Sequence, residues 1–129
     1  MMRDIESRSD IEKILEQFYE QAFKDELIGH FFTEVVPLNL ETHLPVITDF
    51  WESVIFQSQA YRKNVMEIHQ VIHSIEKIEK KHLQRWVEMM MQTIDNNFSG
   101  NNANLMKQRA ASVATLMDIK LNHGQINKL

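Results

Sequence analysis

The chain has 129 residues, a formal net charge of -4, a pI near 5.8 and a composition that is 43% hydrophobic, enough apolar side chain for a packed core without staples. That length makes one domain, residues 1–129, burying about two-thirds of the surface its unfolded form exposes, and the acidic balance argues against a nucleic-acid face, which needs clustered Lys and Arg. The absence of cysteine excludes a disulfide framework, an iron–sulfur cluster, a thiolate zinc site and the Cys-x-x-Cys-His tether of a covalently attached haem.

No apolar stretch approaches ~20 residues, and Met1-Met2-Arg3-Asp4-Ile5-Glu6 lacks a signal-peptide hydrophobic block. No membrane span is expected, and the expected address is the cytoplasm. Three glycines and two prolines leave little for turn-rich β architecture, so the fold is read as all-α.

In chain order, Ser9-Asp10-Ile11-Glu12 fits a capping box and predicts a helix start. Ile11, Ile14, Leu15, Phe18, Ala22 and Phe23 then form one apolar stripe at three- and four-residue steps. Tyr19 lies at its edge, where the ring is buried and the hydroxyl is aimed inward. Leu27, Ile28, Phe31 and Phe32 predict a short helical piece that Pro37 closes. The next stripe is Leu40, His43, Leu44, Ile47, Phe50, Trp51, Val54 and Ile55, with Pro45 expected in the first turn, where no intrahelical amide partner is lost. If that helix starts earlier, Pro45 kinks it.

Gln57 to Asn64 reads as a connector, followed by a short helix around His69 and a solvated charge run, Glu76 to Lys81. Leu83, Trp86, Val87, Met90, Ile94 and Phe98 mark a longer helix, with Gly100 placed for a left-handed cap. Ala103, Met106, Ala110, Val113, Met117 and Leu121 mark the last helix. The ends, before Ser9 and after Asn122, are expected to fray, leaving a core of about 9–121.

Several chemistries are weighed against these elements. His69 sits among apolar neighbours, and a neutral imidazole in an apolar wall is how proteins offer one axial ligand to haem iron, although a lone histidine on such a face is more often simply packed. His69 and His73 are spaced for a shared zinc ion, but Gln70 stands where the His-Glu-x-x-His motif needs its carboxylate. Glu79-Lys80-Lys81-His82 is the single Glu-x-x-His, whereas a di-iron bundle needs two, so it reads as a solvated helix start. There is no Gly-x-Ser-x-Gly, and no Gly-rich phosphate loop. Met89-Met90-Met91 reads as core filling with one exposed member.

Taken together, Phe18-Tyr19, His43 with Phe50-Trp51, His69, and His82-x-x-Arg85-Trp86 resemble the third group of truncated haemoglobins. In that group a distal histidine precedes a Phe-Trp pair, and the proximal histidine follows at about the 26-residue separation found here. The resemblance covers approximately residues 9–121, and the absence of Gly-Gly motifs agrees with the third group. It implies a globin-like, two-over-two helical sandwich with a shortened first helix, binding haem b non-covalently.

Carried over by position, His69 matches the proximal iron ligand, Tyr19 the distal tyrosine, His43 the distal histidine and Trp86 the tryptophan near the bound ligand. Phe32, or alternatively Phe31, matches the ring at the haem edge, and Ile47, Phe50, Met66 and Ile72 the lining of the haem plane. His82 falls within the same set. Arg62, Lys63 and Arg85 are candidates for the propionates. The chain departs from the family at Tyr61-Arg62-Lys63-Asn64, where Tyr-x-Gly is frequent.

The resemblance implies binding of O2 or another diatomic gas, for capture or for O2, NO or peroxide chemistry with an unidentified reductase. A haem-based sensor or carrier without catalysis would use the same site. A helical interaction domain without cofactor, its Tyr, Trp and His merely core, is the alternative of a different class.

Overall fold

The computed structural model describes residues 2–35, 39–57, 69–70, 72–73 and 76–122. It contains α1 (Arg8–Ala22), a π-helical turn (Phe31–Val35), α2 (Leu40–Phe56), α3 (Lys80–Asn97) and α4 (Asn101–Asn122). Residues 69, 70, 72 and 73 are also helical, and no strand occurs among the described residues. The expected connector beyond Gln57, Pro37, Arg62, Lys63, Met66 and the end after Asn122 lie outside the described residues.

Helix α1 packs on α2 and α3, α3 on α4, and α2 on α4. The result is two helix pairs, one laid over the other, in the two-over-two arrangement. The stripe of α1 is buried as its spacing dictates, with Ile11, Ile14, Leu15, Phe18 and Ala22 all fully covered. It meets Trp51 and Ile55 of α2, Met89, Met90 and Ile94 of α3, and Ala103, Met106 and Ala110 of α4. Alanines on the inner face of α4 let the backbones of the α3–α4 pair approach closely. A smaller cluster of Ile78, Leu83, Ala114 and Met117 lies beyond, and Phe31 and Trp86 pack against both.

Three details differ from the sequence expectations. First, α1 begins at Arg8, after Ser7, and the Ser7 side chain makes no cap bond. The cap comes from Asp10, whose carboxylate accepts the Glu6 amide at 2.8 Å and is gripped by both guanidinium nitrogens of Arg3 at 2.7 and 2.6 Å. The Arg3 hydrogen bond holds Asp10 down at about 2, against the opposing effect of burial.

Second, the segment before Ser9 is not frayed. Residues 2–7 are non-helical but docked: Ile5 is fully buried, and the Asp4 carboxylate accepts the amides of Asn102 and Ala103 at 2.9 Å each, capping α4. Burial pushes the Asp4 carboxyl up, but these amide bonds outweigh it and hold the group below its ordinary range. Third, Gly100 does not cap α3, which ends at Asn97 with extended Phe98 after it. Gly100 instead opens α4 at φ 146°, with its carbonyl accepting the Asn104 amide at 2.9 Å. A Cβ there would lie 2.5 Å from Asp4 Cγ, so the glycine makes room for the capping carboxylate.

Pro45 falls inside α2, the earlier-start case. It removes the amide that would bond the Glu41 carbonyl. The charge run from Glu76 is exposed apart from buried Ile78, and α3 opens with a reciprocal capping box. The Glu79 side chain accepts the His82 amide, and the Glu79 amide donates to His82 Nδ1 at 2.9 Å. That bond needs an unprotonated Nδ1.

Two outcomes follow from these joints. Gly100→Ala should destabilise the fold by more than ~1 kcal/mol, because strain and collision act together; thermal unfolding reads this, and an unchanged midpoint would mean the joint absorbs the methyl. Burial holds the His82 imidazole below its ordinary value. Its stabilising share is therefore complete above the unfolded value of about 6.5, and is lost as pH falls toward the lower folded value. His82→Gln keeps an acceptor without titrating, so unfolding midpoints measured from pH 7 to 5 should fall less steeply than in the parent chain.

Candidate functional site

Tyr19 follows Phe18 on α1, so its ring is turned from the centre of the stripe toward α2 while staying 6% exposed. A phenol hydroxyl buried that deeply must find a polar partner. It finds His43, in the first turn of α2, with Tyr19 Oη 3.1 Å from His43 Nε2. The two rings meet edge-on at 5.5 Å. Ile47 and Phe50 follow His43 by one and two helical turns, and both are partly buried against the main core.

Three phenylalanine rings converge on Tyr19. Phe18 meets it edge-on at 5.1 Å, Phe32 of the π-helical turn edge-on at 5.7 Å, and Phe23 at 6.2 Å. Trp86 of α3 joins through Phe18, with the rings perpendicular at 6.3 Å. Phe31 turns the other way, toward His82 at 5.0 Å and His30 at 4.3 Å. The structure thus brings Tyr19, His43, Phe32 and Trp86 around one region. It sets His82 apart from them as a helix-capping residue on the Phe31 side.

Electrostatics at this region favour neutral groups. Burial pushes the Tyr19 phenol well above its ordinary value, so it keeps its proton. Burial also pushes the His43 imidazole down, and the neighbouring His69 imidazole adds to that effect. His69 is half-buried and helical, and Ile72 packs on the smaller cluster with Trp86. The phenol and the His43 imidazole, both pushed toward their neutral forms, make with the Trp86 indole an uncharged polar set in an aromatic wall.

The His69–His73 zinc reading gains nothing. His73 Nδ1 accepts the Ile78 amide at 2.9 Å, and no group of three or more His, Cys, Asp or Glu side chains among the described residues could hold a metal ion. Met89 and Met90 are buried and Met91 is half-exposed, as core filling requires. Arg85 does not point away as a free cation for a propionate: its guanidinium pairs with Asp25 at 2.9 Å. Sequence reasoning missed Asp25. Its local signal was an Asp placed two residues before Leu27, where a side-chain oxygen can cap a turn.

No helix among the described residues is long and apolar enough to cross a membrane. No family model and no curated protein matches the chain. Among solved structures, it is similar to the group III truncated haemoglobin from Campylobacter jejuni, with 19% identity and a TM-score of 0.80 over 94% of this chain and 95% of that one. At that identity the likeness speaks for architecture. The chain has the all-α fold of a truncated haemoglobin.

Proposed function

We propose that this chain is a haem-binding globin that takes up O2 or another diatomic gas beside Tyr19, His43 and Trp86. The observation that carries the reading is the Tyr19–His43 pair, a buried phenol bonded at 3.1 Å to a half-buried imidazole inside a fold of this kind. A core that needs only to pack has no use for a phenol hydroxyl that must then be matched by a histidine at the rim of its aromatic wall, whereas a site for a polar ligand does.

Bound haem would supply an iron centre with a coordination position for a diatomic gas and a capacity for one-electron redox change. The residues present suit that group. His69 would offer its imidazole nitrogen to the haem iron, and with no cysteine in the chain that bond would be the protein's covalent-strength tether to the cofactor. Ile47, Phe50, Phe32 and Ile72, partly buried against the core, would keep water from the bound group. Met66 is assigned to the same lining and Arg62 to a propionate, on the resemblance.

On the distal side the chain's own donors hold the gas ligand. With His43 Nε2–H donating to the Tyr19 oxygen, the Tyr19 hydroxyl keeps its own proton for the ligand, and the Trp86 indole N–H cannot lose its own, so each donates a hydrogen bond without bringing net charge. Each bond contributes ~1 kcal/mol in a site shielded from water, so two slow escape by roughly tenfold or more. Slow release suits capture or redox chemistry of O2, NO or peroxide better than delivery. His43, bonded to Tyr19 and one turn before Ile47, acts as the gate to that side.

Two measurements test this. Absorption spectra of protein expressed with haem supply should show a Soret band, which His69→Ala largely loses while helicity stays, and imidazole in solution should partly restore it; a chain without the band has no such function. Tyr19→Phe should raise the O2 dissociation rate by about fivefold, the loss of one ~1 kcal/mol bond. His43→Leu should change the association rate more than the dissociation rate, and the reverse pattern would remove the gate.

A further inference from the structure

Asp25 stands at the corner after α1, and its carboxylate faces two ways. Oδ2 accepts the amides of Leu27 and Ile28 at 3.1 Å each, while Oδ1 accepts Arg85 Nε and Nη2 at 2.9 Å each. The Asp25 side chain is 8% exposed and that of Arg85 41%. Burial pushes the Asp25 carboxyl up, but Arg85 and the two amides prevail and hold it below its ordinary range. A planar fork onto one oxygen of a buried, already capped carboxylate leaves Arg85 little freedom of orientation.

Arg85 immediately precedes Trp86 on α3. From Trp86 the contacts return to Asp25 by another route. Trp86 meets Phe18, Phe18 meets Tyr19, and Tyr19 meets Phe32 on the π-helical turn. The chain leading into that turn is fixed by the Gly29 amide bonding the Asp25 carbonyl at 2.9 Å and the Phe31 amide bonding the Ile28 carbonyl at 3.1 Å. The Asp25–Arg85 pair closes a ring of contacts that contains both proposed donors.

We propose that Asp25 and Arg85 are positioning residues that fix the Trp86 indole relative to the Tyr19 hydroxyl, so that both address one bound ligand. The proposal rests on the haem-binding reading above. Ion pairs with one partner this exposed contribute little stability, whereas displacing a donor by a fraction of an ångström greatly weakens its bond to a bound ligand. The pair therefore acts on geometry more than on folding.

The test uses the haem-loaded protein with carbon monoxide as the probe, because its C–O stretching band shifts with hydrogen bonds donated to it. Reference positions come from Tyr19→Phe and Trp86→Phe. Arg85→Gln and Asp25→Asn should each move the band toward the Trp86→Phe position and raise the O2 dissociation rate roughly three- to tenfold. The double variant should do no more than either alone, because both remove one interaction. Arg85→Lys, which keeps charge without the fork, should fall between. In the haem-free protein, the nuclear Overhauser contact between the Trp86 and Phe18 rings should weaken in the same variants.

Variants with a lower melting temperature but unmoved band and rate would overturn the proposal and leave the pair a plain structural tie. Additive effects of the two changes would overturn it as well. A parent chain that takes up no haem, or whose band ignores both reference variants, would instead refute the haem-binding reading, and the positioning role would fall with it.

Discussion

A phenol hydroxyl placed against a wall of Ile, Leu and Phe cannot stay unpaired, and the bond from Tyr19 to His43 is how this fold meets that demand. The demand fixes more than one contact. It sets the rotation of α1 about its axis, because Phe18 and Tyr19 must face the core and α2 at once. It draws the first turn of α2 over α1 and leaves Ile47 and Phe50 to continue along the same face.

Carboxylates carry the joints that glycine and proline carry elsewhere. Asp4 caps α4, Asp10 caps α1 and Asp25 caps the corner before the π-helical turn, and each accepts two or more donors. Two of the three also take a guanidinium. A chain with only three glycines thus turns its corners with side-chain oxygens, which suits short connections between helices.

The helices were legible because each carries its own period: the stripes of α1, α3 and α4 were written within the residues that form them. What escaped was written across the chain. Asp4 and Ala103 are 99 residues apart and Asp25 and Arg85 are 60 apart, so no local pattern reveals either bond. The Ser9 box failed for a related reason: the helix starts at Arg8, which places Ser9 inside its first turn and leaves Glu12 to pair with Arg8. Gly100 looked like the end of one helix because left-handed backbone is equally useful at the start of the next when a side chain must fit beside it. The aromatic and histidine residues of the site were individually ambiguous, and only their order along the chain, matched to a known pattern, singled them out.

The N-terminal strap has a kinetic side. Residues 3–5 find their partners on residues 98–103, so this segment waits on one made almost a hundred residues later. Until α4 has been made, Ile5 has no complete pocket and Asp4 no amides to cap. Closing that long loop costs only slightly more entropy than closing a shorter one, but it places the step late, after the local helices have formed. Docking of residues 3–5 should then come late in assembly, and a bulky group joined directly ahead of Arg3 would weigh on that step more than on any earlier one.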